Sequence, residues 1–108
     1  MNKTIAVIRL AGELEVGRKD EIAGALALTG NESGVLLDFS AVSYADSTSL
    51  AELLRFRDEA SKQDVPVAIV IGSKQFARLI QYAGLSHAFR IFDNRAEALL
   101  DLSRATGK

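Results

Sequence analysis

The sequence predicts a single α/β domain, with a mostly parallel or mixed sheet of about four strands flanked by about four helices. Two short segments, residues 35–39 and 65–71, consist almost entirely of apolar residues, which is typical of buried strands. Between them, residues 50–60 carry apolar side chains at a helical period. Strand and helix patterns alternate along the chain, and this alternation implies crossover connections between parallel strands. A chain of 108 residues is long enough for one domain, so we expect residues 1–108 to form it.

The first and last predicted strands cover residues 4–10 and 88–92. Apolar side chains occur on both alternating faces of residues 4–10, so we expect this strand to be covered on both sides. Pro66 lies near the start of the third strand, where its missing N–H is tolerated. Five apolar side chains of the two middle strands are expected to be buried: Val35, Leu37, Val67, Ile69 and Ile71.

The four predicted helices each begin near a residue that can cap a helix N-terminus. These candidate capping residues are Asp20, Asp46, Ser73 and Asn94. The first helix is expected to reach about Thr29, and the third to end at Gly84, since glycine commonly follows a helix C-terminus. Asn94 and Glu97 together resemble a capping box. We expect the helices to pack mainly against one face of the sheet.

The composition argues against several classes of protein. Thirteen Lys and Arg against fourteen Asp and Glu give a net charge of −1, which argues against nucleic-acid binding. The chain has no cysteine and a single histidine, His87, which we interpret as a surface residue. No apolar stretch approaches the ~20 residues of a membrane span, and no signal peptide is recognised. We therefore expect a cytoplasmic protein without a cofactor; a metal site formed by Asp38 and Asp46 is a disfavoured alternative.

The polar cluster Asp46, Ser47, Thr48 and Ser49 opens the second predicted helix. Unpaired backbone N–H groups and the positive end of the helix dipole favour an anion at such a position. A phosphate on one of these hydroxyl groups would therefore be stabilised by its own helix. Simple N-capping by the same residue types is the competing interpretation, and spacing alone favours it.

The order of elements and several short motifs resemble the STAS domain family, which includes bacterial anti-sigma factor antagonists and the cytoplasmic tails of sulphate transporters. That family has an acidic residue near a strand end, a short loop, and then Asp-Ser-x-Gly-Leu at the start of the second helix. The matching residues here are Asp38, Asp46, Ser47 and Leu50. Residues 12–15 resemble the family's Gly-Glu-Leu-Asp, and residues 82–85 its small-Gly-Leu ending of the third helix.

The resemblance implies a non-enzymatic binding module that is switched by phosphorylation. In the anti-sigma factor antagonist branch, the serine after the motif aspartate is phosphorylated, and its equivalent here is Ser47. The implied partner is an anti-sigma factor with serine kinase activity, with a serine phosphatase as a further candidate. The residues implied to bind the partner are Glu15, Asp46, Ser47, Thr48 and Ser49. We expect residues 43–49 to be exposed, with the loop of residues 12–17 beside them.

The chain departs from the family pattern at three points. Ser49 stands where the family usually has glycine, and Glu15 where it usually has aspartate. The chain also begins late, because most members have another strand before the one at residues 4–10. Ser49 keeps an alternative open: an interaction subunit of a lipid-transport ABC complex that is not phosphorylated. An enzyme or nucleotide-binding domain is a third, weaker alternative, since the sequence has no glycine-rich phosphate loop.

Overall fold

The computed structural model describes residues 3–106 of the chain. Four strands alternate with four α-helices, and a short 3₁₀ turn, Val16–Arg18, precedes the first helix. The strands are β1 (Thr4–Leu14), β2 (Glu32–Ala45), β3 (Val67–Ile71) and β4 (Arg90–Phe92). The helices are α1 (Lys19–Ala25), α2 (Ser47–Lys62), α3 (Lys74–Tyr82) and α4 (Arg95–Thr106).

The four strands form one sheet in the order β1-β2-β3-β4, and every neighbouring pair is parallel. One row of paired positions crosses the whole sheet, from Ile8 through Leu37 and Ile69 to Ile91. The predicted α/β class and its parallel strands are thereby confirmed. In a parallel sheet all strands end at the same edge, so the loops after β1 and β2 lie side by side.

The sheet has a hydrophobic cluster on each face. The larger cluster joins one face of β2 and β3 to α1, α2 and α3, with Phe39 and Phe76 stacked at a ring-centroid distance of 6.0 Å. On the other face, Leu36 and Val70 pack against α4 through Ala98 and Leu102. The prediction that the helices share one main face is therefore right for three helices and wrong for α4. The middle strands are apolar on both sides because both sides are covered.

Several boundaries differ from those that the sequence predicts. β1 and β2 are longer than expected and remain paired up to Leu14 and Ala45, with three register shifts along the way. α1 ends at Ala25, before the expected end at Thr29. Of the five side chains predicted to be buried, only Ile71 is partly exposed.

β1 is an edge strand, and it is less covered than its apolar pattern predicts. Val7 keeps 43% of its surface exposed, while Leu10 and Leu14 of the same strand are buried in the larger cluster.

Three of the four predicted caps are confirmed, whereas Asp20 lies in the first turn of α1, which begins at Lys19 without a side-chain cap. The side chains of Asp46, Ser73 and Asn94 accept hydrogen bonds from the backbone N–H of Ser49, Phe76 and Glu97. Gly84 adopts a positive φ of 73° after α3, the left-handed conformation that glycine adopts without strain. No helix within residues 3–106 is both long and apolar enough to cross a membrane.

Candidate functional site

Asp46 connects the end of β2 to the start of α2. Its backbone is extended, and its carboxylate Oδ1 accepts a hydrogen bond of 3.0 Å from the Ser49 N–H. The other carboxylate oxygen, Oδ2, accepts a hydrogen bond of 3.0 Å from the Val16 N–H, thirty positions away. The backbone N–H of Asp46 also donates to the Leu14 carbonyl at 3.0 Å. One residue therefore caps α2 and holds the loop after β1 against the helix start.

The hydrogen bonds to Asp46 favour its charged form. Burial alone would raise the pKa of this carboxyl group, but the hydrogen bonds from Ser49 and Val16 outweigh that effect and hold the pKa below its usual value. Both carboxylate oxygens already have partners inside the protein. Asp46 therefore holds the parts of the site together, and it acts on a partner mainly through its negative electrostatic potential.

Ser49 lies inside the protein, with only 1% of its surface exposed. Its hydroxyl group donates to the Leu14 carbonyl at 2.6 Å and lies 3.1 Å from Asp46 Oδ1. The prediction that residues 43–49 are all exposed is thus wrong at Ser49, and also at Ala45, which is fully buried. The reason is that the side chain of Ser49, the third residue of α2, is directed into the protein toward the end of β1. Ser49 supports the docking surface from within and does not form part of its outer face.

Ser47 is exposed at the first position of α2, and Thr48 beside it is half-buried. Ser43 and Tyr44, at the end of β2, are also exposed. The three hydroxyl groups at the start of α2 therefore differ in access: Ser47 is open to solvent, Thr48 is partly covered and Ser49 is buried. Sequence spacing alone could not separate them, because all three residue types occur at helix starts.

Glu15 lies in the loop after β1, directly before the residue that donates to Asp46, and it is exposed as expected. The loop is held in shape by Arg18, whose Nη1 donates to the carbonyls of Ala11 and Glu13 at 2.7 and 2.9 Å. Arg18 also forms an ion pair of 2.8 Å with Glu21. The structure thus places the end of β1 and the loop after it beside the start of α2, as expected, but residues 12–14 of the predicted loop belong to β1.

Gln75 supports the site although sequence reasoning did not identify it. Its side-chain amide forms two hydrogen bonds with the backbone of Ala45, accepting from the N–H at 2.9 Å and donating to the carbonyl at 2.8 Å. Ser73, which caps α3, also donates to the Ser43 carbonyl at 3.2 Å. At the end of β2, β3 has already ended and provides no backbone partners. The start of α3 provides the hydrogen bonds there instead. No local signal marks this role, because the partners lie thirty positions apart.

Asp38 lies between the buried residues Leu37 and Phe39 of β2 and is 5% exposed. It accepts hydrogen bonds from the Ser40 hydroxyl group at 2.6 Å and from Arg95 at 2.6 Å. Burial would raise the pKa of Asp38, but the bonds from Ser40 and Arg95 hold it below the usual value. Asp38 and Asp46 thus each have their own set of donors, and no cluster of possible metal ligands occurs within residues 3–106.

Comparison with protein-family models identifies the family of the chain. The family model of the STAS domain matches residues 1–98, and the chain belongs to this family. Comparison with curated proteins finds no significant match.

Several solved structures share the fold. A sulfate transporter family protein from Wolinella succinogenes superimposes with a TM-score of 0.79 at 18% identity, covering 96% of this chain and 88% of that one. An anti-sigma factor antagonist from Mycobacterium paratuberculosis gives a TM-score of 0.83 at 20% identity, over 91% of this chain and 85% of that one. The anti-sigma factor antagonist SpoIIAA in its unphosphorylated form gives 0.70 at 20% identity, covering 96% and 93%. At these identities the likeness shows the fold alone.

Proposed function

We propose that the protein is a cytoplasmic anti-sigma factor antagonist, and that it binds an anti-sigma factor with serine kinase activity through the start of α2. Membership of the STAS family supports this proposal, as does the shared fold with two anti-sigma factor antagonists. The binding surface comprises Ser47, Thr48, Asp46 and Glu15, with Ser49 supporting it from within. The protein itself carries out no catalysis in this role.

The accessibility of Ser47 is the observation that carries the proposal. A kinase must bring the acceptor hydroxyl group into its own active site, which requires an exposed side chain. Among the three hydroxyl residues at the start of α2, Ser47 is exposed while Thr48 is half-buried and Ser49 is buried. The structure therefore favours the same residue as the family motif.

Phosphorylation at Ser47 would act mainly on the partner and little on the fold. The phosphate adds a charge of about −1.5 to −2. The positive end of the α2 dipole stabilises part of that charge at no structural cost. The phosphate would also join Asp46 and Glu15 on one surface, which makes this surface more negative. A partner shaped for a neutral hydroxyl group then faces an unpaired charge, and such placements cost several kcal/mol at an interface.

The test combines phosphorylation and binding with the candidate anti-sigma kinase and ATP. Intact-protein mass spectrometry should find a single phosphate on the wild type and on Thr48→Ala, and none on Ser47→Ala. Titration calorimetry without ATP should give equal affinities for the unphosphorylated wild type and Ser47→Ala. The phosphorylated wild type should bind about thirtyfold more weakly, which corresponds to about 2 kcal/mol. Ser47→Asp should show only part of this loss, because its carboxylate carries one charge and lies closer to the backbone. A phosphate that persists in Ser47→Ala would remove the basis of the proposal.

A second candidate is an interaction domain that works in a transporter assembly without phosphorylation, such as a lipid-transport ABC complex. The similar fold of the sulfate transporter family protein favours it, together with Ser49 at the usual glycine position. The buried orientation of Ser49 weakens the second argument, because its side chain does not alter the outer surface. Equal partner affinities for the wild type, Ser47→Ala and Ser47→Asp, all folded by circular dichroism, would favour this candidate.

A further inference from the structure

A cationic cavity lies at the opposite edge of the sheet from Ser47. It has a volume of about 370 Å³ and opens where β3 and β4 begin. Its polar lining consists of Arg57 and Ser61 from α2, His87 from the loop before β4, and Arg90 at the start of β4. Phe89 and the start of β3 form its apolar wall. None of these lining residues is acidic, but Arg90 is paired with Asp101 at 2.9 Å, so the unpaired positive charge of the cavity comes from Arg57.

Arg57 is the residue that makes this cavity unusual. It lies within the apolar arc of α2, and its side chain is half-buried. Its Nε donates to the Ala88 carbonyl at 2.8 Å, which fixes the guanidinium group over the loop before β4. Among the described residues, Arg18, Arg55, Arg90 and Arg95 form ion pairs with carboxylates, but Arg57 does not. Its terminal Nη groups make no hydrogen bond within residues 3–106, although they carry four N–H donors.

A half-buried guanidinium group without a counter-ion attracts an anion, since charge in a partly desolvated site is costly when it is unpaired. We propose that the cavity binds a small phosphorylated molecule, whose phosphate contacts the Nη groups of Arg57. The Ser61 hydroxyl group belongs to the same lining and adds a donor. A guanidinium group is well suited to bind two phosphate oxygens at once. The volume exceeds that of a single phosphate group, which leaves room for the organic part of the ligand against Phe89.

This site is separate from the proposed partner surface, although both contact α2. Ser47 begins the helix and Ser61 lies one residue from its end, so the sites are roughly 20 Å apart along the axis. A ligand in the cavity therefore does not compete directly with a protein bound at Ser47. Failure of one proposal leaves the other unaffected.

The experiment titrates the isotope-labelled full chain with inorganic pyrophosphate and follows amide chemical shifts by NMR. We expect saturable shifts at residues 57, 61 and 87–90, with inorganic phosphate binding more weakly and the shifts at Ser47 remaining small. Arg57→Met should weaken binding by about tenfold or more, because a charge-assisted contact is lost. Arg104→Met, which removes an exposed arginine from α4, is the control and should leave the affinity within about twofold.

Ser61→Asp gives an independent test, because it places a carboxylate in the lining of the cavity, one helical turn after Arg57. It should weaken pyrophosphate binding by about tenfold or more, as expected for Arg57→Met. This result does not depend on whether Arg57→Met folds. Shifts that do not saturate, or that are spread over unrelated Lys and Arg residues, would overturn the proposal. An unchanged affinity in Ser61→Asp would overturn it as well.

Discussion

Replacing Asp46 with alanine tests whether this residue holds together the start of α2 and the loop after β1. The substitution removes the N-cap bond to Ser49, and the loss of such a cap costs about 1 kcal/mol. It also removes the bond from Val16 to a charged acceptor, which we value at about 1 kcal/mol because this contact is exposed to water. We therefore expect the free energy of unfolding of Asp46→Ala to fall by about 2 kcal/mol.

The assay is urea denaturation followed by circular dichroism, in which a loss of this size lowers the midpoint by about 1 M. Asp58→Ala is the matched control, because it makes the same change at an exposed position of the same helix. Alanine is the better helix former, so the control should keep or slightly raise its midpoint. Equal midpoints for Asp46→Ala and Asp58→Ala would refute the reasoning.

The pH dependence of the same residue gives a second check. The pKa of Asp46 is lower in the folded than in the unfolded protein, so its contribution to stability is fully present above the unfolded pKa of about 4. The contribution is lost as the pH falls through the folded pKa. Asp46→Asn can still cap α2 but has no charge to lose. The difference in unfolding free energy between the wild type and Asp46→Asn should therefore shrink below about pH 4.

Other substitutions test the remaining supports of the site. Gly72→Ala should lower the unfolding free energy by about 1–3 kcal/mol in urea denaturation, because its Cβ would lie 2.7 Å from the Ser40 carbonyl oxygen. Gly24→Ala, where the new Cβ meets nothing within 4 Å, should instead raise it by about 0.5–1 kcal/mol, and a loss there would contradict the structure. Gln75→Ala should speed amide hydrogen exchange at Ala45, because the Ala45 N–H loses its hydrogen bond to the Gln75 side chain. Unchanged exchange would show that this hydrogen bond is dispensable. Ser49→Ala should lower the thermal midpoint by an amount equivalent to about 1 kcal/mol, and an unchanged midpoint by calorimetry would contradict its buried hydrogen bond.

The sequence by itself determined the class of fold and the starts of three of its helices. The apolar segments of β2 and β3 and the helical period of α2 depend only on neighbouring residues, and so do caps such as Ser73 and Asn94. A cap bonds to a backbone group three positions away, so its partner is visible in the sequence. Ser47 could be singled out by its family motif, but the motif alone could not show that its side chain is exposed.

Only the tertiary structure decided how the site is assembled. The bonds of Asp46 to Val16, Ser49 to Leu14 and Gln75 to Ala45 join residues that are thirty or more positions apart. Such pairs form because the parallel sheet brings the ends of β1 and β2 to one edge, where the starts of α2 and α3 cover them. The position of α4 on the opposite face was likewise decided by tertiary packing, against Leu36 and Val70. The periodicity of a helix shows which of its faces is apolar, but it does not show which side of the sheet the helix covers.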